Sequence, residues 1–128
     1  MKQTFVNTWK SSIQPRKQRK YRYNAPLHIT SKFLSLHLGK DLREKYSCRS
    51  LRVRKGDTIK VLRGQHKGKM GKVERVSMKY SRIYVTGIDL IRKDGTKTLI
   101  PLEPSNLMLT ALHLGDKKRL PETKEASQ

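Results

Sequence analysis

The chain has almost no cysteine, and its first forty residues contain no acid. Cys48 is the only thiol among 128 residues, so no intrachain disulfide can form and no cysteine-based zinc set can assemble. A reducing, intracellular setting fits. The histidines His28, His37, His66 and His113 are scattered, with no pair at metal-ligand spacing and few carboxylates nearby. No metal and no cofactor are expected. No apolar run approaches the roughly 20 residues that cross a bilayer, so membrane insertion is not expected either. Carboxylate pairs and Cys–His arrangements of the kind that carry general acid–base or nucleophilic chemistry are also missing, which argues against an enzyme. Acid is scarce throughout: 10 Asp and Glu face 30 Lys and Arg, leaving a formal net charge of +20. In so short a chain such a charge repels itself unless a polyanion neutralises it. Nucleic acid is the first partner to consider, and an anionic membrane surface the second.

What is present is unevenly placed. No Asp or Glu precedes Asp41, while Arg16, Lys17, Arg19, Lys20 and Arg22 crowd one short stretch, the composition of a basic arm. An Arg-rich, acid-free start with Phe5, Trp9 and Ile13 four apart also imitates an organellar transit peptide. Serine is not abundant there and Pro15 interrupts the pattern, which favours a nucleic-acid-binding arm.

The length allows one small domain with extensions, because domains usually run to roughly 100–150 residues. Residues 1–27 read as an extended basic arm with too few apolar residues to offset the entropy of ordering it. Residues 28–50 read as a short helical segment: Ile29, Phe33 and Leu36 follow helical spacing, Leu38, Leu42 and Tyr46 repeat every four, and Gly39 divides the sets. From Leu51 the period changes to two. Thr58–Leu62, Lys72–Val76, Arg82–Ile88, Thr96–Ile100 and Leu107–Leu112 are expected strands, separated by turn chemistry. Asp94-Gly95 suggests a type I′ hairpin, and Glu103-Pro104-Ser105-Asn106 a second sharp connection. Five short strands suggest a mainly β fold closed into a small barrel over residues 51–114, which removes exposed edges. Ile59, Val61, Val73, Val76, Ile83, Val85, Leu99 and Leu109 are the expected core. Residues 115–128 read as a polar tail, mobile or ordered by a partner.

Arg63-Gly64-Gln65-His66-Lys67-Gly68-Lys69-Met70-Gly71-Lys72 raises the question of a phosphate cradle. A Walker-type loop needs G-x-x-x-x-G-K-[ST] ahead of a helix. Here Gly64 and Gly68 enclose three residues, Lys69 is followed by Met70, and Lys72–Val76 continues with strand character. The dinucleotide fingerprint fails for the same reason. The alternative is an inter-strand loop whose glycines permit positive φ and close approach, with Lys67, Lys69 and Lys72 projecting toward the phosphates of a polynucleotide. A tight loop whose lysines only keep it soluble also satisfies these residues.

Arg54 to Val73 closely resembles the KOW motif of small SH3-like barrels, with matching positions at Gly56, Asp57, Ile59, Val61, Gly64, Lys67, Gly68, Gly71 and Val73. The motif alone does not separate ribosomal proteins from transcription-elongation factors. The flanking stretches RKYRYNAPLH, GKDLREKY, RSLRVRKGD and IPLEPSNLMLTAL do. Together they resemble the archaeal and eukaryotic form of the universal large-subunit ribosomal protein numbered twenty-four in bacteria and twenty-six in eukaryotes, over about residues 15–115. That resemblance implies a non-enzymatic constituent of the cytoplasmic ribosome. The same resemblance implies binding to large-subunit ribosomal RNA early in assembly and near the nascent-chain exit tunnel. It implies neighbouring large-subunit proteins as partners, and opens the tunnel exit's nascent-chain or targeting factors as further ones. A transcription-elongation module is expected to carry a mixed α/β domain before the motif, for which the arm leaves no room.

Folded RNA hides its base edges in a deep, narrow groove, so a protein fitted to it meets shape, phosphates and 2′-hydroxyls. Arg16, Lys17, Arg19, Lys20 and Arg22 of the arm are expected on phosphates. Tyr21, Tyr23 and Trp9 are expected to stack on exposed bases or to pack back on the protein. Asn24 and His28 extend this surface. Arg54 and Lys55 precede the motif's turn. Arg63, Gly64, His66, Lys67, Gly68, Lys69, Gly71 and Lys72 form the glycine loop, and Lys79 and Arg82 the next one. Lys60 and Lys72 are alternatively mere outward strand positions. Asp57 is expected to bond turn amides, as Asx side chains commonly do.

Overall fold

In the computed structural model, which describes residues 5–8 and 11–120, the basic segment expected to be extended is instead a helix, α1, over Pro15–Asn24. Pro15 suits a first helical turn, where its missing N–H is not needed and its ring presets φ. Gln18 closes that turn, its amide N–H donating to Gln14 O at 3.1 Å and its side chain to Ser12 O at 2.6 Å. The helix ends at Asn24 because Ala25 precedes Pro26 and is held extended at φ −63°, ψ 131°. A helix of about ten residues is not stable alone in water, and five cations work against this one. Its inner face docks it: Gln18 and Tyr21 are half-buried, and the Tyr21 ring lies 5.1 Å from Phe5 and 6.4 Å, edge-on, from Phe33. Trp9 and residues 121–128 lie outside the described residues.

Helix α2 (Leu27–Thr30) and a 3-10 turn (Ser31–Leu34) lead to strand β1 (Ser35–Leu38) and helix α3 (Lys40–Tyr46). The expectation of a helical segment over 28–50 fails at β1. A spacing of four keeps side chains on one face in a helix and in a strand alike, so the leucine spacing did not discriminate. Leu36 and Leu38 are buried while Ser35 and His37 are exposed, the alternation of a strand.

Among the described residues seven further strands follow: β2 (Ser50–Arg52), β3 (Thr58–Val61), β4 (Met70–Ser77), β5 (Arg82–Val85), β6 (Asp89–Ile91), β7 (Lys97–Leu99) and β8 (Leu107–Ala111). Six of the eight form one mixed sheet in the order β2-β1-β8-β3-β4-β5. The β1–β8 pair is parallel, and the other pairs of this sheet are antiparallel. The β6–β7 hairpin pairs separately. The mainly β expectation therefore holds, with short helices beside the strands. Among the described residues no ladder runs from β5 to β2, so the pairing does not confirm the closed barrel. An Ile83–Leu102 bridge partly covers the β5 edge.

The core is one cluster that includes Leu34, Leu36, Leu38, Val53, Ile59, Val61, Val73, Ile83, Val85, Ile88, Leu107 and Leu109. Val76 and Leu99, expected in it, are half-buried. For Val76 the cause is a register shift between Val73 and Arg75 in the β4–β5 ladder. An extra residue in one strand breaks the alternation, and Glu74 and Arg75 both face solvent. The hairpin turn also differs from expectation. Only Gly95 has positive φ (85°), and the loop closes through Gly95 N–H to Arg92 O and Arg92 N–H to Thr96 O. This is a type I turn followed by a left-handed residue. Asp94 accepts instead from the Thr96 hydroxyl and amide, and these bonds hold its carboxyl below the ordinary value.

The start of the expected tail is part of the fold. Lys117–Arg119 is a 3-10 turn, and Arg119 is buried against Asp57, whose own exposure is 0%. Arg119 Nη1 donates to Asp57 Oδ1 at 2.6 Å, and Nη2 to Oδ2. The same guanidinium donates to His113 O at 2.9 Å and Arg52 O at 3.0 Å. Asp57 does bond turn amides as expected, accepting from Arg54 N at 2.8 Å and also from His113 N at 2.9 Å.

Candidate nucleic-acid interface

Three elements carry the candidate residues. On α1 the helical period separates the docked residues Gln18 and Tyr21 from exposed Arg16, Lys17, Arg19, Lys20, Arg22, Tyr23 and Asn24. His28 is exposed just beyond. The Tyr21 ring packs on the protein, which leaves Tyr23, 83% exposed, as the tyrosine of this helix open to a base. Arg22 lies over the Phe33 ring at 5.6 Å, so its guanidinium is braced while remaining exposed.

The second element is the loop from β3 to β4. Backbone bonds from Lys67 N to Gly64 O (3.1 Å), Gly68 N to Val61 O (2.8 Å) and Lys69 N to His66 O (3.1 Å) make it a defined turn. Gly64 and Gly68 sit at φ 97° and 85°, where a Cβ is disfavoured. Arg63, Lys67 and Lys69 are exposed, as is Lys72 in β4, whereas His66 is half-buried. A strand begins at Met70, so the helix a nucleotide cradle needs is absent from this place. Gly71 serves packing: a Cβ there would lie 2.5 Å from Val85 Cγ1 and 2.6 Å from Thr86 O.

The third element is the turn from β4 to β5. Lys79 lies over the Tyr80 ring at 5.2 Å, and Tyr80 is 65% exposed. Sequence reasoning named the loop but not this ring, since an isolated tyrosine between Lys79 and Ser81 carries no pattern. Arg82 forms an ion pair with Glu103, and Arg54 with Asp116 at 2.7 Å. The Lys118 amide and then the Arg54 guanidinium hold the Asp116 carboxyl below its ordinary value. A depressed acid of this kind keeps its pairing at neutral pH and loses it as pH falls through the folded-state value.

The fold brings some of these residues together. An open cleft of about 360 Å³ gathers Arg19, Arg22 and Tyr23 of α1 with Lys79, Tyr80 and Arg82. A second depression, about 760 Å³, gathers Arg52, Arg54, Lys55 and Arg75. The glycine loop lines neither and projects separately. Among the described residues, no three His, Cys, Asp or Glu side chains cluster to hold a metal, and no helix is long and apolar enough to cross a membrane. Among them, too, Arg16, Arg19, Lys20, Lys67 and Lys69 have no carboxylate partner.

A polycationic face on a small β scaffold defines the class, and comparison with known proteins narrows it to ribosomal proteins. Residues 12–122 match the model of the ribosomal protein family that unites the eukaryotic proteins numbered twenty-six with the archaeal proteins numbered twenty-four. The chain is 52% identical over 108 residues to the large ribosomal subunit protein uL24 of Methanospirillum hungatei, covering 84% of this chain and 90% of that one. It is 52% identical over 108 residues to uL24 of Methanoculleus marisnigri (84% and 89% covered), and 47% over 114 residues to uL24 of Methanosarcina barkeri (89% and 98%). The chain belongs to this family: it is a large-subunit ribosomal protein of the archaeal type, a structural component of the cytoplasmic ribosome and not an enzyme.

Proposed function

We propose that the chain binds large-subunit ribosomal RNA through α1, the glycine loop and the β4–β5 turn, and acts as a clamp between neighbouring RNA elements. The observation that carries this reading is that Arg16, Arg19 and Lys20 on α1 and Lys67 and Lys69 in the glycine loop are exposed and have no carboxylate partner among the described residues. Such cations lower the free energy of a complex by releasing counterions from phosphates. The Asp57–Arg119 pair and the core fix the sheet, so the loops present their charges from a stable base. Arg16, Lys17, Arg19, Lys20 and Arg22 take phosphates, with Asn24 and His28 at the end of the same surface. Arg63, His66, Lys67, Lys69 and Lys72 form a second point of attachment. Attachment early in assembly and a position near the nascent-chain exit tunnel, beside neighbouring ribosomal proteins and within reach of nascent-chain or targeting factors, extend this reading from the family resemblance.

Replacing Arg16, Lys17, Arg19, Lys20 and Arg22 by glutamine tests it. Binding of the full chain to large-subunit ribosomal RNA, measured across a salt series, should show the slope of log K against log salt shrinking by roughly 3.5 to 4.5, at about 0.7–0.9 per phosphate. An unchanged slope would mean that the helix cations face only solvent.

A further inference from the structure

Resting on the RNA-binding reading above, we infer that the cleft between α1 and the β4–β5 turn is a receptor for a single unpaired nucleotide, its base gripped by the tyrosines Tyr23 and Tyr80. The two rings come from elements more than fifty residues apart in sequence, and both line this cleft. Large aromatic side chains left 83% and 65% exposed forgo the burial they usually gain on folding. A base supplies a flat apolar partner for such a ring.

The polar lining fits the rest of a nucleotide. Arg19, Arg22 and Lys79 line the same cleft and offer donors to a phosphate that accompanies the base. Lys79 lies over one face of the Tyr80 ring, so a base would stack on the other. Glu103, paired with Arg82, also lines the cleft. A carboxylate among cations repels a phosphate but accepts from base N–H groups, as it does from an exocyclic amine in groove readout. Guanine offers its ring N–H and amine side by side and can engage both carboxylate oxygens. The cleft's volume of about 360 Å³ admits one nucleotide and not a helix. Fully paired RNA keeps its bases stacked inside the duplex, so the receptor selects a bulged or flipped residue.

The probes are a short RNA duplex with one bulged guanosine, the same duplex with a bulged uridine, and the same duplex fully paired. The full chain should bind the bulged guanosine duplex about tenfold more tightly than the paired one, the value of one stacked base, with the bulged uridine between them. Tyr23→Ala and Tyr80→Ala should each bring the ratio of bulged to paired affinity most of the way down to one. Tyr→Phe at either position should keep it, because stacking needs the ring and not the hydroxyl. Both positions are exposed, so the variants should melt at the wild-type temperature, which separates a lost receptor from a lost fold. Wild-type protein that binds all three RNAs equally, with normal salt dependence, would overturn the receptor and leave the RNA-binding reading standing. Failure to bind any of them would overturn both.

Discussion

Asp57→Ala should destabilise the protein by about 3–5 kcal/mol, the usual cost of removing one partner of a buried ion pair. The size follows from what is stranded. The Arg119 side chain is 3% exposed and the Asp57 side chain 0%, so alanine leaves a guanidinium out of water without its counter-charge. The amides of Arg54 and His113 lose their acceptor at the same time. A domain of this size has roughly 5–15 kcal/mol in total, so the loss is a large fraction of its stability. Urea denaturation of the isolated chain measures it as a lower midpoint at unchanged slope. Arg119→Met should cost less than Asp57→Ala, because the remaining carboxylate keeps its two amide donors. If Asp57→Ala unfolded within about 0.5 kcal/mol of the wild type, the range of ordinary exposed substitutions, the Asp57–Arg119 pair would not hold the Lys117–Arg119 turn to the sheet.

The next largest effect is expected at Gly71. Valine there places its Cβ within 2.6 Å of both a β5 side chain and the Thr86 carbonyl oxygen, and backbone cannot yield as a flexible side chain does. Overpacking of this kind costs about 1–3 kcal/mol and occasionally more. The clash falls where β4 joins β3 to β5, since Gly71 pairs with Ile59 while Val73 pairs with Val85. Gly68→Ala is the comparison. Its glycine has positive φ and open space around it, so the expected cost is only the roughly 1–2 kcal/mol of a left-handed alanine. Thermal melting of the two variants should rank Gly71→Val well below Gly68→Ala; the reverse order would contradict the packing role.

Much of this was legible in the sequence because it rests on local chemistry. Alternation placed β3, β4, β5, β7 and β8 within a few residues of their observed bounds. The failed spacing around Gly64 and Gly68 separated an inter-strand loop from a nucleotide cradle before any geometry was known. What stayed hidden depends on partners distant in sequence. The helix α1 forms because Tyr21 has an aromatic neighbour in Phe33, and nothing within Pro15–Asn24 announces that neighbour. The β1 strand hid behind a leucine spacing common to helix and strand. Within a tail that reads as polar, Arg119 carries no sign of its partner, yet it meets a carboxylate sixty-two residues away. For the interface, charge was readable and convergence was not: Tyr23 and Tyr80 share a cleft that only the fold creates.

Ultraviolet crosslinking of purified large subunits, followed by mass spectrometry of the nucleotide-bearing peptides, tests the central claim most directly. The account predicts adducts on the peptides that carry α1, the Arg63–Lys72 loop and the Met78–Arg82 turn. Adducts absent from all three and confined to other parts of the chain, such as the β6–β7 hairpin, would contradict it.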